Sequence, residues 1–147
     1  MALIYLDTCA IQRPLDDRTQ FRVRVEADAV TAVLSAAEAG EVQLLTSSAL
    51  RAESSRIRDR SRLEFARDVL ELAVQDVSTS EAIRQLTLDY QRQGMKPFDA
   101  LHLASAVISG ADYFCTTDDR FLRRAREANT QATHVVDPLE LALALTL

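Results

Sequence analysis

Four acids in this 147-residue chain stand where an enzyme would want them. Asp7 closes the short apolar run over residues 2–6. Glu53 follows the Ser47–Ser48 pair that ends a second apolar run. Asp99 comes two residues after Pro97, and Asp118 follows the run over residues 113–116. Taken singly, each has an ordinary use. Asp7 and Asp118 suit caps, Asp99 suits a helix start where the dipole favours negative charge, and Glu53 suits a solvated face. Taken together, four acids converging on one edge would repel one another without a cation. A carboxylate set with no His or Cys cluster suits a hard ion, Mg2+ or Mn2+, rather than Zn2+. Such a site suits phosphodiester hydrolysis: the metal activates a water and stabilises charge on the transferring phosphoryl group, and a carboxylate acts as general base.

Other chemistries find less support. His102 lies on the same segment as Asp99 and His134 begins an apolar run; the two do not pair and read as structural. Gly40, Gly94 and Gly110 are isolated, so no Gly-rich loop cradles a phosphate. Order alone supports no Ser-His-Asp or Cys-His arrangement. A phosphatase with Asp7 as nucleophile would want a second Asp two residues on, where this chain has Cys9. Cys9 and Cys115 are too few for a disulfide scaffold and read as structural thiols.

The acids can meet only if the intervening elements bring them to one place. Short apolar runs alternate with longer helical patterns. Strands are expected over residues 2–6, 42–46, 75–77, 113–116 and 134–136. Helices are expected over 19–38, 49–58 and 61–74, from a Ser80 or Thr79 cap to about 93, then over 97–110, 118–128 and 138–145. Residues 13–18 read as a polar turn. Gly40, Gly94 and Gly110 stand where helix C-termini want them. This alternation predicts an α/β fold in a single domain over residues 1–147, with a central parallel sheet of four to five strands flanked by helices on both faces. In such sheets ligands collect at the carboxyl ends of the strands, which is where Asp7 and Asp118 would lie.

Composition narrows the partners. Apolar residues at 48% provide one sizeable core and exclude a disordered chain. No apolar run approaches the roughly 20 residues of a membrane span. The first residues lack a basic region and a small-residue cleavage site, so a cytoplasmic protein without a signal peptide is expected. The net charge of -5 argues against nucleic-acid binding by bulk positive charge. Setting the four acids aside, 18 of the 22 acids face 17 cations, so the rest of the surface is near neutral. All the cations but Lys96 are Arg, whose planar fork matches a phosphate. Arg13, Arg18, Arg22 and Arg24 follow Asp7; Arg51, Arg56, Arg58, Arg60 and Arg62 surround Glu53; Arg120, Arg123, Arg124 and Arg126 follow Asp118. Of these, Arg13, Arg51, Arg56 and Arg120 are the expected contacts to substrate phosphates.

Four segments, in order, resemble the PIN domain, a compact α/β nuclease fold found in VapC-like toxins of bacterial toxin–antitoxin pairs. Leu6-Asp7-Thr8 resembles the family's opening Asp-Thr/Ser element. Ser47 through Glu53 resembles its Ser-rich strand end and helical Glu. Asp99-Ala100-Leu101-His102-Leu103-Ala104-Ser105-Ala106 is very close to its Asp-Ala-x-x-x-Ala-x-Ala helix. Thr116-Thr117-Asp118-Asp119-Arg120-Phe121 matches its Thr-x-Asp-x-x-Phe element. The resemblance implies that Asp7, Glu53, Asp99 and Asp118 form the family's acidic quartet, supported by Thr8, Thr116 and Asp119. It implies a Mg2+- or Mn2+-dependent ribonuclease with an RNA substrate, an antitoxin partner and a homodimer. Two departures are visible. Cys9 stands where the family often has Asn or Ser, and the Gln12 through Asp17 stretch is more like stand-alone PIN proteins than typical toxins. The rival expectation is a PIN-like module that binds protein or RNA with little catalysis.

Overall fold

The first apolar run forms strand β1 (Leu3–Leu6), and all four of its residues are buried. Successive side chains of a strand point to opposite faces, so β1 needs cover on both. The computed structural model, which describes residues 1–147, supplies that cover with eight α-helices around a five-stranded sheet.

In chain order, β1 is followed by helix α1 (Thr8–Gln12), a 3-10 turn (Arg13–Leu15) and the long helix α2 (Phe21–Glu38). Strand β2 (Gln43–Ser47) leads into α3 (Ser48–Ser54) and α4 (Arg60–Glu71), then strand β3 (Gln75–Val77). Helices α5 (Glu81–Arg92) and α6 (Pro97–Ile108) pack against each other before strand β4 (Tyr113–Cys115). Helix α7 (Asp119–Glu127), strand β5 (His134–Val136) and helix α8 (Pro138–Ala144) complete the chain.

The strand order is β3-β2-β1-β4-β5, and every pairing is parallel. The chain therefore builds outward from β1 to β3, returns, and lays β4 on the other side of β1. This reversal makes the crevice beyond the carboxyl ends of β1 and β4 the topological switch point, the usual ligand site of an open parallel sheet. The register sets Leu6 opposite Cys115, and the Asp7 N–H donates to the Cys115 carbonyl at 2.9 Å. The segments that follow the two strands thus leave side by side.

Every expected strand and helix forms, with ends shifted by a few residues. Two differences have local causes. Helix α1 was not expected, because five residues are too few to show a 3.6-residue period. The expected helix over 49–58 ends at Ser54, since Asp59 caps α4 by accepting from the Arg62 N–H at 3.0 Å and the chain must turn before it. Gly94, at φ +97°, closes the α5 region in a left-handed conformation, and a Cβ there would collide with the Arg124 guanidinium. No helix is long and apolar enough to cross a membrane.

Candidate functional site

Asp7 is the first residue past β1, and its backbone is extended as α1 begins. Its carboxylate is buried and heavily engaged. Oδ1 accepts from the Thr8 N–H at 2.8 Å, and Oδ2 accepts from the Thr116 hydroxyl at 3.0 Å and from the Cys9 thiol at 3.4 Å. The Thr116 hydroxyl in turn accepts from the Asp118 N–H at 3.2 Å. Thr116 therefore ties the end of β1 to the end of β4. Burial raises the Asp7 pKa despite nearby His102 and the Thr116 hydroxyl, which act to lower it.

Glu53 rides on α3, whose N-terminus is capped by Ser47: its Oγ accepts from the Leu50 N–H at 3.1 Å. Glu53 Oε1 lies 3.1 Å from His102 Nε2, and this hydrogen bond is the main reason its pKa falls below the ordinary value. One carboxylate oxygen of Asp7, one of Glu53 and a ring nitrogen of His102 all lie within 4.8 Å of one another, a spacing that could hold a metal ion.

Asp99 sits in the first turn of α6, after Pro97. Asp118 is the N-cap of α7 and accepts from the Phe121 N–H at 3.1 Å. Both line one recess of about 160 Å³, together with Lys96, Arg120, Phe121 and Arg124. Burial pushes the Asp99 pKa up to about 6, and the charges of Asp7 and Asp118 add to the rise. Asp99 thus feels acids from both strand ends, which places it electrostatically between the two halves of the site.

The remaining expected residues divide. The Thr8 hydroxyl is buried, lacks a well-formed hydrogen-bond partner and still helps to lower the Glu53 pKa. Asp119 turns away from the acids: its two oxygens take the Arg22 guanidinium at 2.6 and 2.7 Å. Arg13 is spent in ion pairs with Asp16 at 2.9 Å and Glu26 at 3.2 Å, and Arg51 pairs with Asp76 across the edge of the sheet. These two guanidinia, both expected as RNA contacts, are thus paired with acids of the chain. Arg126 is likewise held, by Glu140. Arg56 lies over the Phe98 ring at 5.2 Å and helps to lower the Glu53 pKa, while Arg120 lines the Asp99–Asp118 recess.

Two residues expected to be structural lie against the candidate acids. His102 is fully buried and reaches Glu53. Its position three residues after Asp99 on one helix was the available signal, because that spacing shares a face. Cys9 lies against both Asp7 and Thr116, and its Sγ accepts from the Thr117 N–H at 3.4 Å. Burial and the Asp7 charge push its thiol up to about 12, so it is a neutral donor to the carboxylate. His134 is exposed and stays outside the site.

A family model described as the PIN domain matches residues 4–127. No curated protein matches the chain. Among solved structures, the chain is similar to one described as VapBC2 from Rickettsia felis bound to a DNA fragment from its promoter. That likeness has a TM-score of 0.57 and 14% identity and covers 92% of this chain and 98% of that one. It is also similar to PAE2754 from Pyrobaculum aerophilum, with a TM-score of 0.57 and 15% identity, covering 99% of this chain and 97% of the other.

Proposed function

This chain belongs to the PIN domain family, and from that premise we propose that it is an endoribonuclease dependent on Mg2+ or Mn2+. It hydrolyses RNA phosphodiester bonds at Asp7, Glu53, Asp99 and Asp118. The observation that carries this reading is the convergence of the acids: ligand atoms of Asp7 and Glu53 lie within 4.8 Å of each other beside His102, and Asp99 and Asp118 line one recess, where burial and repulsion from Asp7 and Asp118 raise Asp99. A cation relieves that strain, and the donors suit a hard one. They are carboxylate oxygens, the buried Thr8 hydroxyl lacks a well-formed partner, and the one adjacent thiol is kept neutral.

Asp7, Glu53, Asp99 and Asp118 would hold the ion. The chemistry it supplies is activation of water and neutralisation of charge on the phosphoryl group. The chain's own groups do the rest. Thr116 and the Thr8 N–H orient the Asp7 carboxylate. Glu53, kept ionised by His102 and a third exposed, orients the attacking water. Lys96, Arg120 and Arg124 border the recess and receive the phosphates of the substrate strand. A second recess of about 290 Å³, lined by Arg120, Arg123, Arg124 and Glu127, continues the same cationic edge along α7.

The likeness to VapBC2 supports a role as the toxin of a toxin–antitoxin pair with an antitoxin partner; that the chain acts as a homodimer is part of the same proposal. The test is cleavage of a mixed-sequence single-stranded RNA by the purified protein with Mn2+, with EDTA and Asp99→Asn controls. Cleavage lost in both controls supports the nuclease. No cleavage, with no change in melting temperature on adding Mn2+, would instead favour a binding module. Growth arrest on expression, relieved by a neighbouring gene's product, tests the toxin role. Light scattering at twice the chain mass tests the dimer.

A further inference from the structure

Side chains from four separate elements form one hydrogen-bonded line into the site. Ser47 Oγ, at the end of β2, lies 2.7 Å from the Tyr5 hydroxyl of β1. That hydroxyl lies 2.6 Å from His102 Nδ1 on α6, and His102 Nε2 lies 3.1 Å from Glu53 Oε1 on α3. Ser47, Tyr5 and His102 are all 0% exposed, so the protons must be placed within the line.

Counting donors and acceptors sets its direction. Ser47 Oγ already accepts from the Leu50 N–H, and the one acceptor within reach of its own proton is the Tyr5 oxygen. Tyr5 must then donate to His102 Nδ1, which leaves the imidazole proton on Nε2, facing the Glu53 carboxylate. The reverse direction would strand the Ser47 proton in a dry site. With a neutral ring it would also turn the Nε2 lone pair toward a carboxylate. Buried polar groups do not tolerate either fault.

Resting on the nuclease reading above, we propose that His102 is the positioning residue for Glu53. Its Nε2–H holds Oε1, Tyr5 and Ser47 lock it in that tautomer, and Oε2 is left as the working oxygen. In this tautomer His102 is not a metal ligand, although Nε2 lies only 4.0 Å from Asp7 Oδ1. Ser47 acts twice: its one hydroxyl caps the helix that carries Glu53 and starts the line that orients the Glu53 side chain. Partners of this kind, one step behind the acting groups, typically govern activity or metal affinity by about 10–100-fold.

Two measurements on the full chain test this. Nitrogen-15 NMR of the His102 ring should show a protonated Nε2 and a bare Nδ1, unchanged at saturating Mg2+. A proton on Nδ1, or loss of the Nε2 proton when Mg2+ is added, overturns the proposal. In RNA cleavage, His102→Leu should lower kcat about 10–100-fold with KM little changed. His102→Gln, whose amide N–H can still donate to Oε1, should recover most of that loss. Wild-type kcat in His102→Leu, or equal loss in two variants that both melt cooperatively, also overturns it. If the wild type neither cleaves RNA nor gains stability from Mn2+, the nuclease reading fails, and the proton position still decides whether His102 donates to Glu53.

Discussion

The two halves of the acidic site differ in how their carboxylates are partnered. Around Asp7 and Glu53 the carboxylates are satisfied by the protein: Thr8, Cys9, Thr116 and His102 all hydrogen-bond to them. Around Asp99 and Asp118 the recess is open and bordered by Lys96, Arg120 and Arg124. Asp118 receives a helix N–H. Burial raises Asp7 and Asp99 alike, but Asp7 is held by donors whereas Asp99 faces the charges of Asp7 and Asp118. The first half is pre-organised by its own hydrogen bonds. The second is an acid held without them, and it stays ionised at neutral pH at a cost in stability. One half supplies geometry as well as a buried acid, and both add to the demand for a cation.

The largest expected effects break this division at its base. Asp7→Asn and Asp99→Asn should each lower cleavage by more than about 100-fold, beyond the range of an indirect partner. Retention of a tenth of wild-type kcat by either variant would remove that acid from the reaction.

Next in size is the response to metal. Mn2+ at 100 times its Kd should add about 2.7 kcal/mol of stability, or about 5–10 °C in Tm for a chain of this length. Asp99→Asn should lose most of that shift. An equal shift in the variant would show that the ion binds elsewhere.

Without metal the same residue should behave in the opposite sense. The Asp99 pKa is about 6 in the folded protein against 3.8 for the free side chain. Its contribution is therefore fully favourable below about 4 and is lost as pH rises through 6. At pH 7, in EDTA, Asp99→Asn should be more stable than wild type by about 1 kcal/mol, after discounting for a half-exposed carboxyl. At pH 4 the difference should vanish. Glu53, whose pKa is lowered, contributes the other way: its share is present above 4.5 and is lost in acid. A pH-independent difference between Asp99→Asn and wild type would contradict the raised pKa.

Smaller effects sharpen the boundary of the open half. Arg120→Ala should weaken RNA binding by a few-fold across sequences and reduce the salt slope by about 1. Asp119→Asn should leave cleavage at the wild-type level, because that side chain serves Arg22. A large loss in Asp119→Asn would mean the acid swings into the site during turnover.

Much of this was legible in the order of residues. A strand followed at once by Asp7, the Pro97 start of the helix carrying Asp99, and the Asp118 cap are properties of consecutive residues, so local signals reveal them. The parallel sheet follows from the same alternation, and with it the edge where Asp7 and Asp118 meet. The cations were legible only as neighbours in sequence. Arg13 and Arg51 adjoin acids of the proposed site along the chain, yet their guanidinia meet Glu26 and Asp76 instead. An Arg side chain is long enough to choose among several acids, and only packing decides which one it finds.

By itself, then, the sequence determined the fold class and the candidate acids, because capping, periodicity and strand length depend on short stretches of chain. Tertiary structure decided which groups surround those acids. His102 meets Glu53 across 49 residues and Tyr5 across 97, and Thr116 meets Asp7 across 109. Those pairings exist because β4 is laid beside β1 after β2 and β3 are complete, and no local pattern records the order in which strands sit in a sheet.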